Sequence, residues 1–543
     1  MKKILAVLML CLLAASMVFA GGSGDASVAG TKPGTGSTPG WKLNKDTPIE
    51  FDWYVHFSWF ARHWGDSLVS KYITQKTGVD INYIVPAGNE AEKLNAMIAG
   101  DALPDFITLG WWEGQVPMMI DAGLVYPLDE LATRFDPYFF KVVNNDKIGW
   151  YRQADGHVYG YPNASYTPAD YEKFKGKLSS TESFLVRGDM YEALGRPDMT
   201  TPEGFLKALR DAKKKFPTVN GAPLIPFGTN EFGDIGNTEI HGVLPHFLAI
   251  SPEQNGKFID CNLGLTDNPE YVRWLKAFRQ ANEEGLISTE IFVDKRSQIE
   301  EKAAQGRYFC MFFKNCDMIT AQNTLYAQSP DMIYKAVDGP KNSKGEPHKL
   351  GGGGIAGWTI TLISKNCKDP ARAIQFMTYM ISEEGQYDIW YGQEGVTYDM
   401  VDGLPVLKPE VKDLKMTNNE KQETEIGVQN TYWMLADYAW ADSFGVSKAP
   451  VEVQQYEWSM PYTVSYAAYD GLTLPVGSDE ALIYEEIQRE WGKVLVQLFQ
   501  APSEAEFDKI IKNFNAFKVE KGIDKVIAAQ TELMNINKAK LGM

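Results

Sequence analysis

Short β-rich runs alternate with capped, amphipathic helical patterns along most of this chain, and that alternation limits the possible fold more than any other feature. Ile49 to Val55 (IEFDWYV), Val79 to Val85 (VDINYIV) and Phe106 to Leu109 (FITL) have the composition of strands. In TTPEGFLKALRDAKKKF, Thr201 suits an N-cap and Pro202 the first helical position, while Phe205, Leu209, Ala212 and Phe216 share one face. Asp267-Asn268-Pro269 opens a second helix that carries Val272, Leu275 and Phe278 and stops at Gly285. Asp369-Pro370 opens a third, in which Ile374, Met377 and Ile381 repeat before an expected stop at Gly385. Ser478 caps a fourth with Ile483, Ile487, Trp491 and Leu495. Strands alternating with such helices predict an α/β fold with largely parallel sheets. The roughly 500 residues involved exceed what one hydrophobic core serves, so at least two lobes are expected.

The start of the chain reads differently. Lys2 and Lys3 precede an apolar run from Ile4 to Leu13, and Val18-Phe19-Ala20 has the character of a processing site, so residues 1–20 are expected to be a cleaved export signal. Cys11 lies inside the apolar run rather than at its end, and no lipid anchor is expected there. Residues 21–44 begin with GGSGDASVAGTKPGTGSTPG, which has almost nothing to bury, and are expected to be a disordered linker with the fold starting near Trp41. Loss of the two lysines would take the formal charge from −17 to −19, which argues against a nucleic-acid partner. Cys261, Cys310, Cys316 and Cys367 fit no CxxC pattern; Cys310 and Cys316 suit either a disulfide in an oxidising compartment or small core positions.

Signatures of chemistry are missing: there is no HExxH, no GxSxG, no Walker loop ending in GKS or GKT and no GxGxxG that opens a helix after a strand. Gly351 to Gly354 lacks the lysine of a phosphate loop and fits a tight inter-lobe passage equally well. His56 and His63 flank Trp59 at a spacing unlike metal pairs, so neither a metal nor a cofactor is expected. A pair of carboxylates across a cleft would leave no trace in a sequence, which keeps an exported carbohydrate-active enzyme as an alternative. The prominent feature is aromatic: 14 Trp, 26 Tyr and 27 Phe, many in polar or Gly-containing stretches. An aromatic face stacks on the C–H face of a sugar ring while polar neighbours bind its hydroxyls. Trp53, Trp59, Trp111, Trp112, Trp358 and Trp433 are the candidate stacking residues, and Glu113, Asn163 and Asn230 the polar ones. Asp105 is read as structural, shaping the turn before its strand. Trp111-Trp112-Glu113 follows FITL, where α/β sheets bind ligands beyond strand carboxyl ends.

Seven local segments, in order, resemble the family 1 extracellular solute-binding proteins. They are LPDFITLG (103–110), DGHVYGYP (155–162), VRGDMYEALGRPDMTTPEGF (186–205), QANEEGLISTEIF (280–292), AAQGRYFCMF (303–312), PARAIQFMTYMISEEG (370–385) and YGQEGVTYDMVDGLPV (391–406). The resemblance implies a two-lobed periplasmic-binding-protein-like fold with three inter-lobe crossings and a ligand cleft between lobes. One lobe is then expected to combine 45–163 with 357–405, the other 164–356 with 406–543. The resemblance further implies a non-enzymatic, monomeric receptor outside the cytoplasm. It would bind a sugar or oligosaccharide by hinge closure and deliver it to an ABC transporter permease; a peptide- or lipid-binding receptor on the same fold is a further alternative. Relatives that bind alginate-type oligosaccharides carry an acidic calcium loop. The corresponding FPTVNGAPLIPFG (216–228) has no Asp or Glu, so no calcium is expected there.

Overall fold

The structure, a computed structural model, describes residues 30–543 apart from 61, 429–432, 445–449 and 476, and apart from the side chains of 416, 419, 433 and 450. The predicted signal segment, residues 1–20, and residues 21–29 of the predicted linker lie outside the described residues. The chain folds as two compact units. The first takes residues up to Tyr161, Thr359–Gly392 and Gly427–Ala436, and the second takes Pro162–Trp358, Gln393–Ile426 and Asp437–Met543.

The first unit is built on a five-stranded sheet in the order Val79–Ile84, Ile49–Val55, Phe106–Gly110, Thr359–Ile363, Gly160–Pro162. The first three strands are parallel and Thr359–Ile363 runs antiparallel to Phe106–Gly110. Local chemistry fixes the joints. Ser67 accepts the N–H of Ser70 to start helix Leu68–Thr77, and Gly78, at φ 70°, ends it and leads at once into Val79. Asp369 caps helix Pro370–Ile381, all of whose residues are buried, as expected for a helix covered on every side. That helix ends at Ile381; Ser382 then caps a second helix, Glu383–Trp390, and Gly385 lies inside it instead of stopping the first. The Ser382 hydroxyl accepts the N–H of Gly385, so a serine cap overrides the glycine. Gly427–Ala436 returns to this unit because it packs on the sheet and its helices: the Thr361 hydroxyl donates to the Met434 carbonyl and the Gln386 amide to that of Leu435.

Residues 30–44 correct the linker expectation. They form an ordered strap on the first unit, ending in a short helix, Gly40–Asn44. The Asn44 amide donates to Gln375, the Gln375 amide to the Lys32 carbonyl, and the N–H of Gly40 to the buried carboxylate of Asp136. Trp41 is buried edge-on to Tyr138 and Tyr379. Composition misleads here because the segment's glycines act by close approach: a methyl group at Gly40 would overlap Gln375.

The second unit has a four-stranded sheet in the order Tyr334–Ala336, Phe184–Arg187, Tyr308–Phe312, Ile225–Gly228. Only the last two strands are parallel, so this sheet is not the largely parallel one expected. Helices Pro202–Lys215, Pro269–Glu283 and Asp479–Gln500 bring Phe205, Trp274, Phe278, Trp491 and Phe499 onto Phe184, Phe227 and Phe312 in one core. Three two-residue hairpins carry Asn220-Gly221, Asn255-Gly256 and Asp402-Gly403 at their tips, all with positive φ, as a type I′ turn demands. The first of these lies within the stretch 216–228, where no calcium is expected.

Candidate functional site

In the first unit, the candidate residues gather where two adjacent parallel strands end. Beyond Val55, the N–H of His56 continues the ladder by donating to the Thr108 carbonyl, and the chain turns through Phe57, Ser58 and Trp59. The N–H of Ser58 donates to Glu90, in the first turn of helix Glu90–Ala99. Beyond Gly110, the N–H of Glu113 closes a turn onto the Gly110 carbonyl, and Trp111 and Trp112 meet edge to face at 5.8 Å. Gly110 makes this possible: a methyl group there would sit 2.7 Å from the Trp112 ring, which folds back over the strand end. Trp59 and Trp112 are 58% and 50% exposed, unusual for indoles, while Trp111 is partly buried against the sheet.

Polar groups lie among these rings. The buried imidazole of His56 shares a hydrogen bond with the Tyr54 hydroxyl. Burial pulls its pKa below the ordinary value, against the opposing pull of the Glu113 and Glu90 carboxylates. His56 is therefore a neutral hydrogen-bonding group near pH 7. Glu90 is held below the usual glutamate range by its hydrogen bonds to Ser58. The rim thus offers ring faces beside carboxylate acceptors, a combination that suits a polyhydroxylated solute.

The other candidates separate into distinct places. Trp53 is a core residue: its ring is enclosed by Tyr83, Phe106 and Phe376, and its N–H is taken by the Thr108 hydroxyl, which leaves no face to stack on a solute. Its position in mid-strand, facing helix Pro370–Ile381, is the cause. Asp105 is structural as read: its carboxylate accepts the N–H groups of Asp52 and Lys368 and ties two strands to the segment after a third. In the second unit, the buried Asn163 accepts the N–H of Trp358 on its carbonyl, and the Trp358 ring is 36% exposed. Asn230 lies apart from them, beyond strand Ile225–Gly228, where its amide donates to the buried Glu239. The side chain of Trp433 lies outside the described residues.

Sequence reading missed Glu90 and Glu239. Asn89-Glu90 opens a helix like any other, and Glu239 sits in a π-helical turn, Glu239–Val243, that no pattern announces. Burial raises the Glu239 pKa despite hydrogen bonds from Thr238 and Asn230. The four described cysteines are free thiols, and Cys310 is buried in a strand. Among the described residues no group of three His, Cys, Asp or Glu side chains is arranged to hold a metal ion, and no helix is long and apolar enough to cross a membrane.

Comparison with known proteins agrees with this architecture. A fructooligosaccharide ABC transporter substrate-binding protein of Streptococcus pneumoniae is 24% identical over 320 residues, which cover 57% of this chain and 57% of that protein. The sequence match thus spans little more than half the length of that relative. An alginate-binding protein solved without calcium superimposes with a TM-score of 0.63 at 18% identity, covering 90% of this chain and 98% of the other. An extracellular solute-binding protein from Bifidobacterium longum subsp. infantis gives 0.64 at 13% identity, covering 91% and 99%. These likenesses show the fold, that of two-lobed solute-binding proteins. The family model described as bacterial extracellular solute-binding protein matches residues 68–398, more than half of the sequence. The chain belongs to the bacterial extracellular solute-binding proteins.

Proposed function

We propose that this protein is the receptor of an ABC importer, exported behind residues 1–20, which acts as a monomer and captures a sugar or oligosaccharide between its two units for a membrane permease. The observation that carries this reading is the strand-end rim of the first unit. There Trp59 and Trp112 expose their rings beside Glu90, Glu113 and the neutral imidazole of His56. Trp358 and Asn163 would contribute from the second unit. Hinge closure follows when a solute makes contacts in the closed state that the open state lacks. The S. pneumoniae relative, named for fructooligosaccharide, supports an oligosaccharide as the solute class.

A sugar array read by thermal shift tests the reading, because a ligand that binds only the native protein raises its melting temperature. At least one oligosaccharide is expected to do so and to be recovered intact by chromatography. Shortened products would instead identify a carbohydrate-active enzyme, and a response to peptides alone would overturn the sugar assignment.

A further inference from the structure

The glycine run 351–354, which fits no phosphate loop, leads through Ile355, Ala356 and Gly357 to Trp358, the last residue before the chain enters the first unit. Four glycines of this passage face a side chain or backbone group that leaves no room for a methyl. At Gly352 it would overlap the Tyr171 hydroxyl, at Gly353 the Tyr166 ring, at Gly354 the Asp470 carboxyl group and at Gly357 the Asn163 carbonyl. Hydrogen bonds hold the passage at almost every step. The Ser180 hydroxyl donates to the Gly351 carbonyl, the Tyr171 hydroxyl to that of Gly353, the N–H of Tyr166 to Gly354 and the Ser165 hydroxyl to Ile355. The N–H groups of Ile355 and Ala356 are taken by one side chain, the carboxyl group of Asp470, with Ala356 at 3.3 Å.

We propose that Asp470 is a positioning residue: it docks the N–H groups of Ile355 and Ala356 and so fixes the passage that presents the Trp358 ring. The docking is independent of any solute; only its consequence for binding rests on the role proposed for Trp358. Asp470 makes no ion pair with a lysine or arginine among the described residues. Tyr171, from helix Pro168–Lys173, is the titratable side chain beside it, and Glu182 and Asp442 bear on the same phenol. With no cation to offset burial, the Asp470 pKa rises to about 6 in spite of its two N–H donors. An Asp470 released to water would titrate near the ordinary 3.8. The docked arrangement therefore binds a proton more tightly than the released one. Docking strengthens as pH falls through about 6 and weakens as the group ionises above it.

Hydrogen exchange of the 351–358 segment, corrected for intrinsic rates and followed at about pH 5 and about pH 7.5, tests this without any ligand. In the wild type, the amides of Ile355 and Ala356 are expected to open about ten-fold less often at the lower pH. In D470N, which keeps the shape and an acceptor but cannot ionise, opening is expected to be the same at both. Y171F, which removes the bond to Gly353, is expected to retain the wild-type pH dependence. Equal opening at both pH values in the wild type overturns the proposal, as does a pH dependence that survives in D470N. If D470N does not fold, the wild-type series decides alone. A protein that exchanges as expected but binds no sugar would sink the role of Trp358 and leave that of Asp470 standing; one that binds sugar with a flat exchange profile would do the reverse.

Discussion

The indole N–H of Trp53 donates to the hydroxyl of Thr108 at 2.8 Å, and that hydroxyl in turn lies 2.7 Å from the hydroxyl of Thr361. The bond chain crosses three neighbouring strands inside a sealed core. Replacing Trp53 by Ala is expected to cost about 3–5 kcal/mol of first-unit stability in denaturant unfolding, the range for emptying a large aromatic site. W53F, which fills most of the volume but removes the N–H donor to Thr108 and leaves that hydroxyl with Thr361 as its partner, should cost about 1–2 kcal/mol. Solute affinity of the folded W53F protein should match wild type.

Trp112 is the opposite case. W112A removes a half-exposed ring and is expected to change stability by less than about 0.5 kcal/mol. Titration calorimetry should show sugar affinity at least about ten-fold weaker, some 1.4 kcal/mol. G110A, which displaces the same ring from beneath, should weaken binding in the same direction while Trp112 is still present.

Asp105 gathers two backbone donors from separate segments. D105A leaves the part-buried N–H groups of Asp52 and Lys368 without their acceptor, and an expected loss of about 1–3 kcal/mol follows. The loss should appear in the unfolding of the first unit, with the exchange of the second unit's core amides unchanged.

The strap brings a pH dependence of its own. Burial lifts the Asp136 pKa to about 6, against its hydrogen bond from Gly40. A carboxyl group raised in the folded state favours folding most strongly in acid, and this contribution fades as pH rises from about 4 through 6. The melting temperature of D136N is therefore expected to exceed that of wild type at about pH 7.5, by the equivalent of about 1–2 kcal/mol, and the gap should close near pH 5. A gap that stays constant across that range would contradict the assignment.

His56 acts in the other direction. Its folded pKa lies below the ordinary value, so burial of the neutral ring supports folding above about pH 6.5 and that support is lost as pH falls. Its NMR titration is expected to have a midpoint below 6.5, and H56F should flatten the acid limb of the stability profile.

Sequence patterns revealed elements wherever local chemistry decides them. Asn268-Pro269 and Ser478 cap helices Pro269–Glu283 and Asp479–Gln500 as expected, and the strands Ile49–Val55 and Phe106–Gly110 are in place. What stayed hidden depends on residues far apart in the chain. Glycines of the strap look like linker until Gln375 and Asp136 are beside them. Trp53 and Trp112 both follow strand-like residues, and only the neighbouring helix separates a core ring from an exposed one. The position of Trp111-Trp112-Glu113 just beyond a strand end was legible because FITL reads as a strand. Glu90 was not, since its place on the rim depends on Ser58 across the sheet edge.

Strand Thr359–Ile363 enters the first sheet between Phe106–Gly110 and Gly160–Pro162, about 250 residues after the strand it pairs with. During synthesis, the opening third of the polypeptide therefore waits with an unfilled slot in its sheet until most of the molecule has left the ribosome. For a receptor exported as proposed, that order of synthesis would favour a loosely folded chain at the translocation channel. Circular permutants that place Thr359–Ile363 early would be expected to close the sheet sooner and to be secreted less well.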